Sequence, residues 1–138
     1  MLTTGIVNLL LQQTAITNVV AGGNAVMPIP APVDMSQYPC ITYQVASDHP
    51  EEYTLNGPAD VNQARIVFDC LAPYNNGGYL VARGLALAIK QALSGYSGTL
   101  SDGTRVLVAE IVNATDSFQN DALLNRSSVH VMFTYQIQ

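Results

Sequence analysis

The order of apolar and polar positions along the chain predicts two helices and four strands. Apolar residues at helical spacing indicate a short amphipathic helix over 3–13. A wider apolar stripe predicts the main helix over 77–94, with Leu80 and Gly84 on its core side. At Gly84, the missing side chain is expected to allow close approach of this helix to a sheet. The predicted strands are 39–45, 63–71, 104–112 and 127–137.

The segments between these elements are polar or rich in proline. Proline at every second position over 28–32 enforces extended backbone. The segment 48–60 is polar, and 113–126 is predicted to be a polar loop that joins the last two strands into a long hairpin. This order predicts an α+β fold: a mixed or antiparallel four-stranded sheet with the main helix and the short N-terminal helix packed on one face. The hairpin loops are expected to project from it.

Length and composition predict one domain with an unusually weakly charged surface. The 138 residues fit a single domain, 1–138, and 49% of them are hydrophobic. Only 11% are charged, whereas ordinary soluble domains contain about 25%. A surface with so few charges is poor at keeping a monomer soluble. We therefore expect partner subunits to cover much of it.

The charge balance argues against a surface that binds nucleic acid. The chain has 5 basic and 10 acidic residues, a net charge of −5, and no run of basic residues. Non-specific binding to nucleic acid depends on clustered Lys and Arg. No apolar stretch approaches the ~18 residues that a membrane-spanning helix needs, so no membrane association is expected. The first residues lack a basic region, so no signal peptide is expected either.

Residues that carry chemistry are few and scattered. Cys40 and Cys70 lack the spacing of a metal site and fall in predicted strands, where we expect buried reduced thiols; a disulfide between them is the alternative. His49 and His130 lie in different elements. The sequence therefore predicts no enzyme, no cofactor and no metal. A small α+β enzyme or ligand-binding module with a dispersed site stays open as a second class.

Four segments, in order, carry a resemblance to a known family. They are 38–44 (YPCITYQ), 62–70 (NQARIVFDC), 89–98 (IKQALSGYSG) and 126–133 (RSSVHVMF). In order and spacing, the chain resembles the tail completion (tail terminator) proteins of long-tailed bacteriophages and prophages. It departs from them at the start of the main helix, where 75–78 (NNGG) replaces acids and alanines.

The resemblance implies a structural protein of the virion. Such a protein forms a ring, typically a hexamer, at the head-proximal end of the tail tube. It stops tube polymerisation and joins the tail to the head connector, and DNA passes through its lumen without specific binding. Assembly is expected in the cytoplasm of the bacterial host. A head-side adaptor of the neck is the sibling interpretation. The family has no catalytic residues that could be carried over.

Within this interpretation, polarity and position in predicted loops single out two sets of contact residues. The candidate subunit interface consists of Glu51, Glu52, Tyr53 and Arg65. The candidate contact to tube or connector consists of Phe118, Leu123, Leu124 and Arg126. Apolar side chains displayed on loops often become ordered when a partner binds.

Overall fold

The computed structural model describes residues 2–20, 23, 25–29, 38–50, 53–54, 57–58, 61–74, 77–119 and 124–136. Its helices are α1 (Leu2–Leu11), α2 (Thr14–Thr17) and α3 (Gly78–Leu93). Its strands are β1 (Val26–Pro28), β2 (Cys40–Pro50), β3 (Tyr53–Thr54), β4 (Gly57–Pro58), β5 (Val61–Pro73), β6 (Gly98–Thr99), β7 (Arg105–Gln119) and β8 (Leu124–Gln136). Both predicted helices and all four predicted strands are present.

The main sheet has six strands, so the prediction of a four-stranded sheet is wrong. Its order is β1-β2-β5-β8-β7-β6, and β3 pairs with β4 in a separate two-stranded ribbon. The sheet is mixed because β1 runs parallel to β2, while every other neighbouring pair is antiparallel. The two additional strands, β1 and β6, have three and two residues. Strands this short show no alternation of apolar and polar positions, which explains why the sequence pattern missed them.

The helices cover one face of the sheet and enclose the core. Helix α3 packs on the central strands β5 and β8. Ala64, Ile66 and Phe68 of β5 and the odd-numbered residues 129–135 of β8 are buried on this face, as their alternation predicts. Full burial of a large apolar side chain stabilises the fold by about 1.5–3 kcal/mol. We call this the helix face and the opposite one the open face.

The two strands of the last hairpin extend well beyond their predicted ends. Residues 113–126 were predicted to be a loop, but β7 continues to Gln119 and β8 begins at Leu124. The two strands stay paired up to Gln119 and Leu124. The prediction failed because an antiparallel strand with a solvent-exposed face can carry polar residues. Strand β2 likewise continues to Pro50, five residues past its predicted end.

Helix α3 presents to solvent two residues that were predicted on its core side. Leu80 is 75% exposed, and a Cβ built on Gly84 would meet no atom within 4 Å. Gly84 therefore does not allow close packing on the sheet. The close approach occurs instead at Gly78, where a Cβ would lie 2.0 Å from the carbonyl oxygen of Pro73. The true buried stripe is centred on Ala82, on 85–86 and on Ile89.

Candidate functional site

Strand β7 forms one edge of the sheet along most of its length. Strand β6 pairs only with Arg105 and Val106. Ala109 accepts a backbone hydrogen bond from the amide of Gly95 and donates one to the carbonyl of Tyr96. In the described part of the chain, no strand pairs with the outer side of 110–119. An edge of this kind presents unpaired backbone donors and acceptors to any strand that approaches.

The opposite edge of the sheet is also partly open. Strand β1 pairs with 41–43 of β2, and the amide of Ile29 donates to the carbonyl of Tyr43. Among the residues described, nothing pairs with the outer side of β2 over 44–50. Val45 on this stretch is 41% exposed, which is a large exposure for a valine that belongs to a strand.

A groove lies between the outer side of α3 and the neighbouring part of β7. Its volume is about 380 Å³, and it is partly open to solvent. Its lining is Leu80, Arg83, Gly84, Ala86, Leu87, Lys90, Ala114, Asp116 and Ser127. Leu80 and Leu87 stand two turns apart with 75% and 53% of their surface exposed. Because Gly84 lies between them without a side chain, the helix surface has a dent there. We refer to this feature as the α3 groove.

A polar cluster joins the two walls of the α3 groove. Asp116 of β7 accepts a hydrogen bond from Arg83 Nη1 at 3.0 Å and another from Ser127 Oγ at 2.7 Å. Arg83 also donates to the Tyr79 hydroxyl at 3.1 Å. Arg83 and Asp116 are exposed enough for solvent to screen their attraction. The cluster therefore sets the position of the Arg83 side chain more than it stabilises the fold.

The open face of the sheet carries a row of polar side chains on β5 and β8. Arg65 Nη2 donates to His130 Nδ1 across a distance of 2.9 Å, so this ring nitrogen acts as an acceptor. The Ser128 hydroxyl donates to Asp69. The buried Nε of Arg65 has no hydrogen-bond partner among the described residues, and an unsatisfied buried donor costs about 1–3 kcal/mol.

The predicted subunit-interface residues are only partly placed by the structure. Arg65 lies half-buried on the open face. Tyr53 belongs to the short strand β3, where it pairs with Pro58 of β4. Glu51 and Glu52 lie outside the described residues. The assignment of these four residues to one subunit interface therefore stays a prediction.

The described members of the predicted tube or connector set lie near the tip of the β7–β8 hairpin. Phe118 is 44% exposed and makes an edge-to-face contact with Tyr74 at 6.5 Å between ring centroids. Arg126 is half-buried on β8, two residues from Leu124. Leu124 is only 2% exposed, so its side chain packs within its own chain instead of facing outward. Leu123 is outside the described residues.

The two cysteines are buried, unpaired thiols, as the sequence predicts. Burial raises the pKa of Cys40 to about 12. Burial also raises the pKa of Cys70, with a smaller contribution from the neighbouring charge of Asp69. Thiols held protonated in this way are poor nucleophiles and poor metal ligands.

Sites for metal binding or membrane insertion were sought over the same described residues. They contain no group of three or more His, Cys, Asp or Glu side chains that could hold a metal ion. No helix within them is both long and apolar enough to cross a bilayer.

Sequence reasoning missed the α3 groove and both free edges. A signal for the groove was present: Leu80, Gly84 and Leu87 recur on one side of a helix, apart from its buried stripe. Which of two apolar stripes faces the core depends on how the helix is rotated. That rotation is set by packing on β5 and β8, which the sequence of α3 alone does not contain.

The chain matches the family model described as tail completion protein gp17 over residues 4–136. Its fold is similar to a chain from a solved structure titled "Virion of native gene transfer agent (GTA) particle", with a TM-score of 0.66. The two chains are 19% identical, and the match covers 95% of this chain and 92% of the other. At this identity, the similarity is evidence for the fold alone. No curated protein matches the chain.

Proposed function

This chain belongs to the tail completion protein gp17 family, and it has a structural role in a phage tail. We propose that it forms a closed ring of identical subunits on the tail tube. The ring sits at the head-proximal end, stops further addition of tube subunits and presents a surface to the head connector. It assembles in the bacterial cytoplasm and performs no catalysis. A hexamer is the order that the resemblance to tail terminators implies.

The observation that carries this proposal is a six-stranded sheet with a free stretch at each edge. A ring needs head-to-tail interfaces, in which each subunit uses two different surfaces. The free stretches 44–50 of β2 and 110–119 of β7 provide two such surfaces. The free part of β7 contains neither Lys nor Pro, the usual protection of an exposed edge. It also exposes Val112 and Phe118.

The directions of the two edge strands agree with closure of a ring. The pairs β2–β5, β5–β8 and β8–β7 are all antiparallel, so β2 and β7 run in opposite directions. A rotation about a ring axis preserves the direction of a strand along that axis. A neighbour's β2 would therefore meet β7 antiparallel, which is the more stable pairing.

In this ring, the helices face outward and the open face lines the lumen. The described charges on this face are mixed: Arg65 and Asp69 lie on β5, and Glu110 lies two strands away in the same row as Arg65. Such a wall lacks the clustered cations that hold phosphates. DNA would pass through it without specific binding.

The predicted contact residues retain roles in this proposal, with two changes. Glu51, Glu52 and Tyr53 stay assigned to contacts between neighbours, whereas Arg65, on the central strand β5, is assigned to the lumen wall. Phe118 and Arg126, near the tip of the β7–β8 hairpin, and Leu123 are assigned to the tube or the connector. Leu124 is removed from that set because it is buried in its own chain.

Deletion of the gene, followed by electron microscopy of the particles, tests this function. The proposal expects overlong tails that lack heads, together with full heads without tails. Tails of normal length that still attach to heads would contradict it. Normal tails with unattached heads that have lost only a neck layer would assign the chain to the head-side adaptor instead.

A further inference from the structure

We propose that the α3 groove receives the free edge of β2 from a neighbouring copy, with Val45 and Asp48 of that copy seated against Leu87 and Lys90. This inference rests on the proposed ring and names the side-chain contact that would hold one subunit to the next. It adds a second layer to the interface, above the pairing of backbone edges.

The exposed apolar wall of the α3 groove indicates contact with another protein surface. Leu80 and Leu87 expose 75% and 53% of their surface on the same side of α3. The space beside them is partly open to solvent, whereas a typical ligand pocket encloses most of the surface of its small molecule. Contiguous exposed apolar surface of this kind marks a protein interface.

The charge of the groove selects an acidic partner. Helix α3 contains no acidic residue, and its Arg83 and Lys90 are two of only 5 basic residues in the chain. Asp116 holds Arg83, whereas no acid in the described part of the chain pairs with Lys90. A second copy of this chain, with 10 acidic residues and a net charge of −5, complements that cation.

The position of the groove favours the edge of β2 as the occupant. Ala114 and Asp116, which line the groove, belong to the free part of β7. A strand added to β7 would place every second side chain on the helix face, beside the groove. On β2, Val45 pairs with the core residue Ile66.

Asp48 of β2 projects to the same side as Val45. Its carboxylate accepts a hydrogen bond at 2.8 Å from the hydroxyl of Tyr135, a residue buried on the helix face. Val45 and Asp48 are both exposed in the single chain. A neighbour's β2 would therefore bring one apolar and one acidic side chain to a groove that has one apolar wall and the cation Lys90, which no acid among the described residues pairs with.

Site-directed cross-linking tests this contact in the full chain. The variant Val45→Cys/Leu87→Cys is treated with a short bismaleimide after assembly, alone or on tail tubes. The native Cys40 and Cys70 are fully buried and do not compete. We expect a ladder of products from dimer upward. The matched control, Val45→Cys/Val19→Cys, places the second thiol at a comparably exposed residue outside the groove. It should give no ladder.

A charge exchange adds a second measurement. Lys90→Glu should lower the yield of assembled ring several-fold, and adding Asp48→Lys should restore it. If rings form while the paired cysteines cross-link no better than the control, this inference is wrong and the ring stands. If the wild-type chain remains monomeric even with tail tubes, the proposed function fails and this inference fails with it.

Discussion

The hydroxyl of Tyr135 links β8, the inner strand of the β7–β8 hairpin, to strand β2. It donates to both carboxylate oxygens of Asp48 at 2.8 Å, while its ring is buried on the helix face. This contact orients Asp48 at the edge where we place the neighbouring subunit. A single hydroxyl therefore contributes both to the fold and to the shape of the proposed interface.

Removal of this hydroxyl should cost a measurable part of the stability. Tyr135→Phe is expected to lower the free energy of unfolding by about 1 kcal/mol, the net contribution of a typical hydrogen bond. Urea titration of both proteins measures the difference. Tyr43→Phe is the control, because no hydrogen bond of the Tyr43 hydroxyl occurs among the described residues. An equal loss in both variants would show that the bond to Asp48 contributes nothing.

The same bond predicts a dependence on alkaline pH. Burial, and then the hydrogen bond to Asp48, raise the pKa of Tyr135 above its ordinary value of 10.0. The unfolded chain therefore deprotonates first, so the stabilisation is complete below pH 10 and is lost as the pH rises through the folded pKa. The stability difference between wild type and Tyr135→Phe should shrink above pH 10. A constant difference would contradict this assignment.

At the scale of elements, the sequence predicted the buried strands well and the edges poorly. Burial alternates over 63–70 of β5 and 129–136 of β8 because one face of each strand is covered by the helices, as Phe68 and Phe133 show. The outer part of β7 is an edge strand in which four of the five residues 113–117 are polar, and its extended form depends on pairing with β8. That pairing is a tertiary contact, which no local pattern contains.

Two glycines of α3, the solvent-facing Gly84 and the closely packed Gly78, provide a matched test of how this helix is oriented on the sheet. Gly84→Ala should raise the free energy of unfolding by about 1 kcal/mol, since alanine favours helix and its Cβ meets no atom. Gly78→Ala should lower it by about 1–3 kcal/mol, because the backbone of Pro73 must move. Thermal unfolding monitored by circular dichroism measures both. A stabilising Gly78→Ala, or a strongly destabilising Gly84→Ala, would mean that α3 is rotated from the orientation described here.

The free edge of β7 should be sensitive to a single added lysine. Val112 is 51% exposed, so Val112→Lys should change the free energy of unfolding by less than about 0.5 kcal/mol. A lysine on an edge strand opposes pairing with another strand, and we expect the assembled ring to be lost. Val19→Lys on the helical side is the control for added charge. Size-exclusion chromatography with light scattering compares the three proteins. Normal assembly of Val112→Lys would remove β7 from the interface.

At the scale of the whole molecule, an open sheet and a weakly charged surface fit a subunit better than a free monomer. Only 11% of residues are charged, and the described surface exposes Leu80, Leu87 and Val112. Stable interfaces bury roughly 800 Å² on each partner. Two such interfaces for each subunit would cover both free edges and the α3 groove. The family resemblance could be read from the sequence, whereas the surfaces that join the subunits required the arrangement of strands.

The mass of the assembly formed by the purified chain, alone and with tail-tube protein, tests closure of a ring most directly. Native mass spectrometry should find one discrete species that grows no further, at about six times the 14.7 kDa of the chain. A chain that stays at 14.7 kDa under both conditions, or a ladder of open-ended oligomers without a limiting size, would contradict the account.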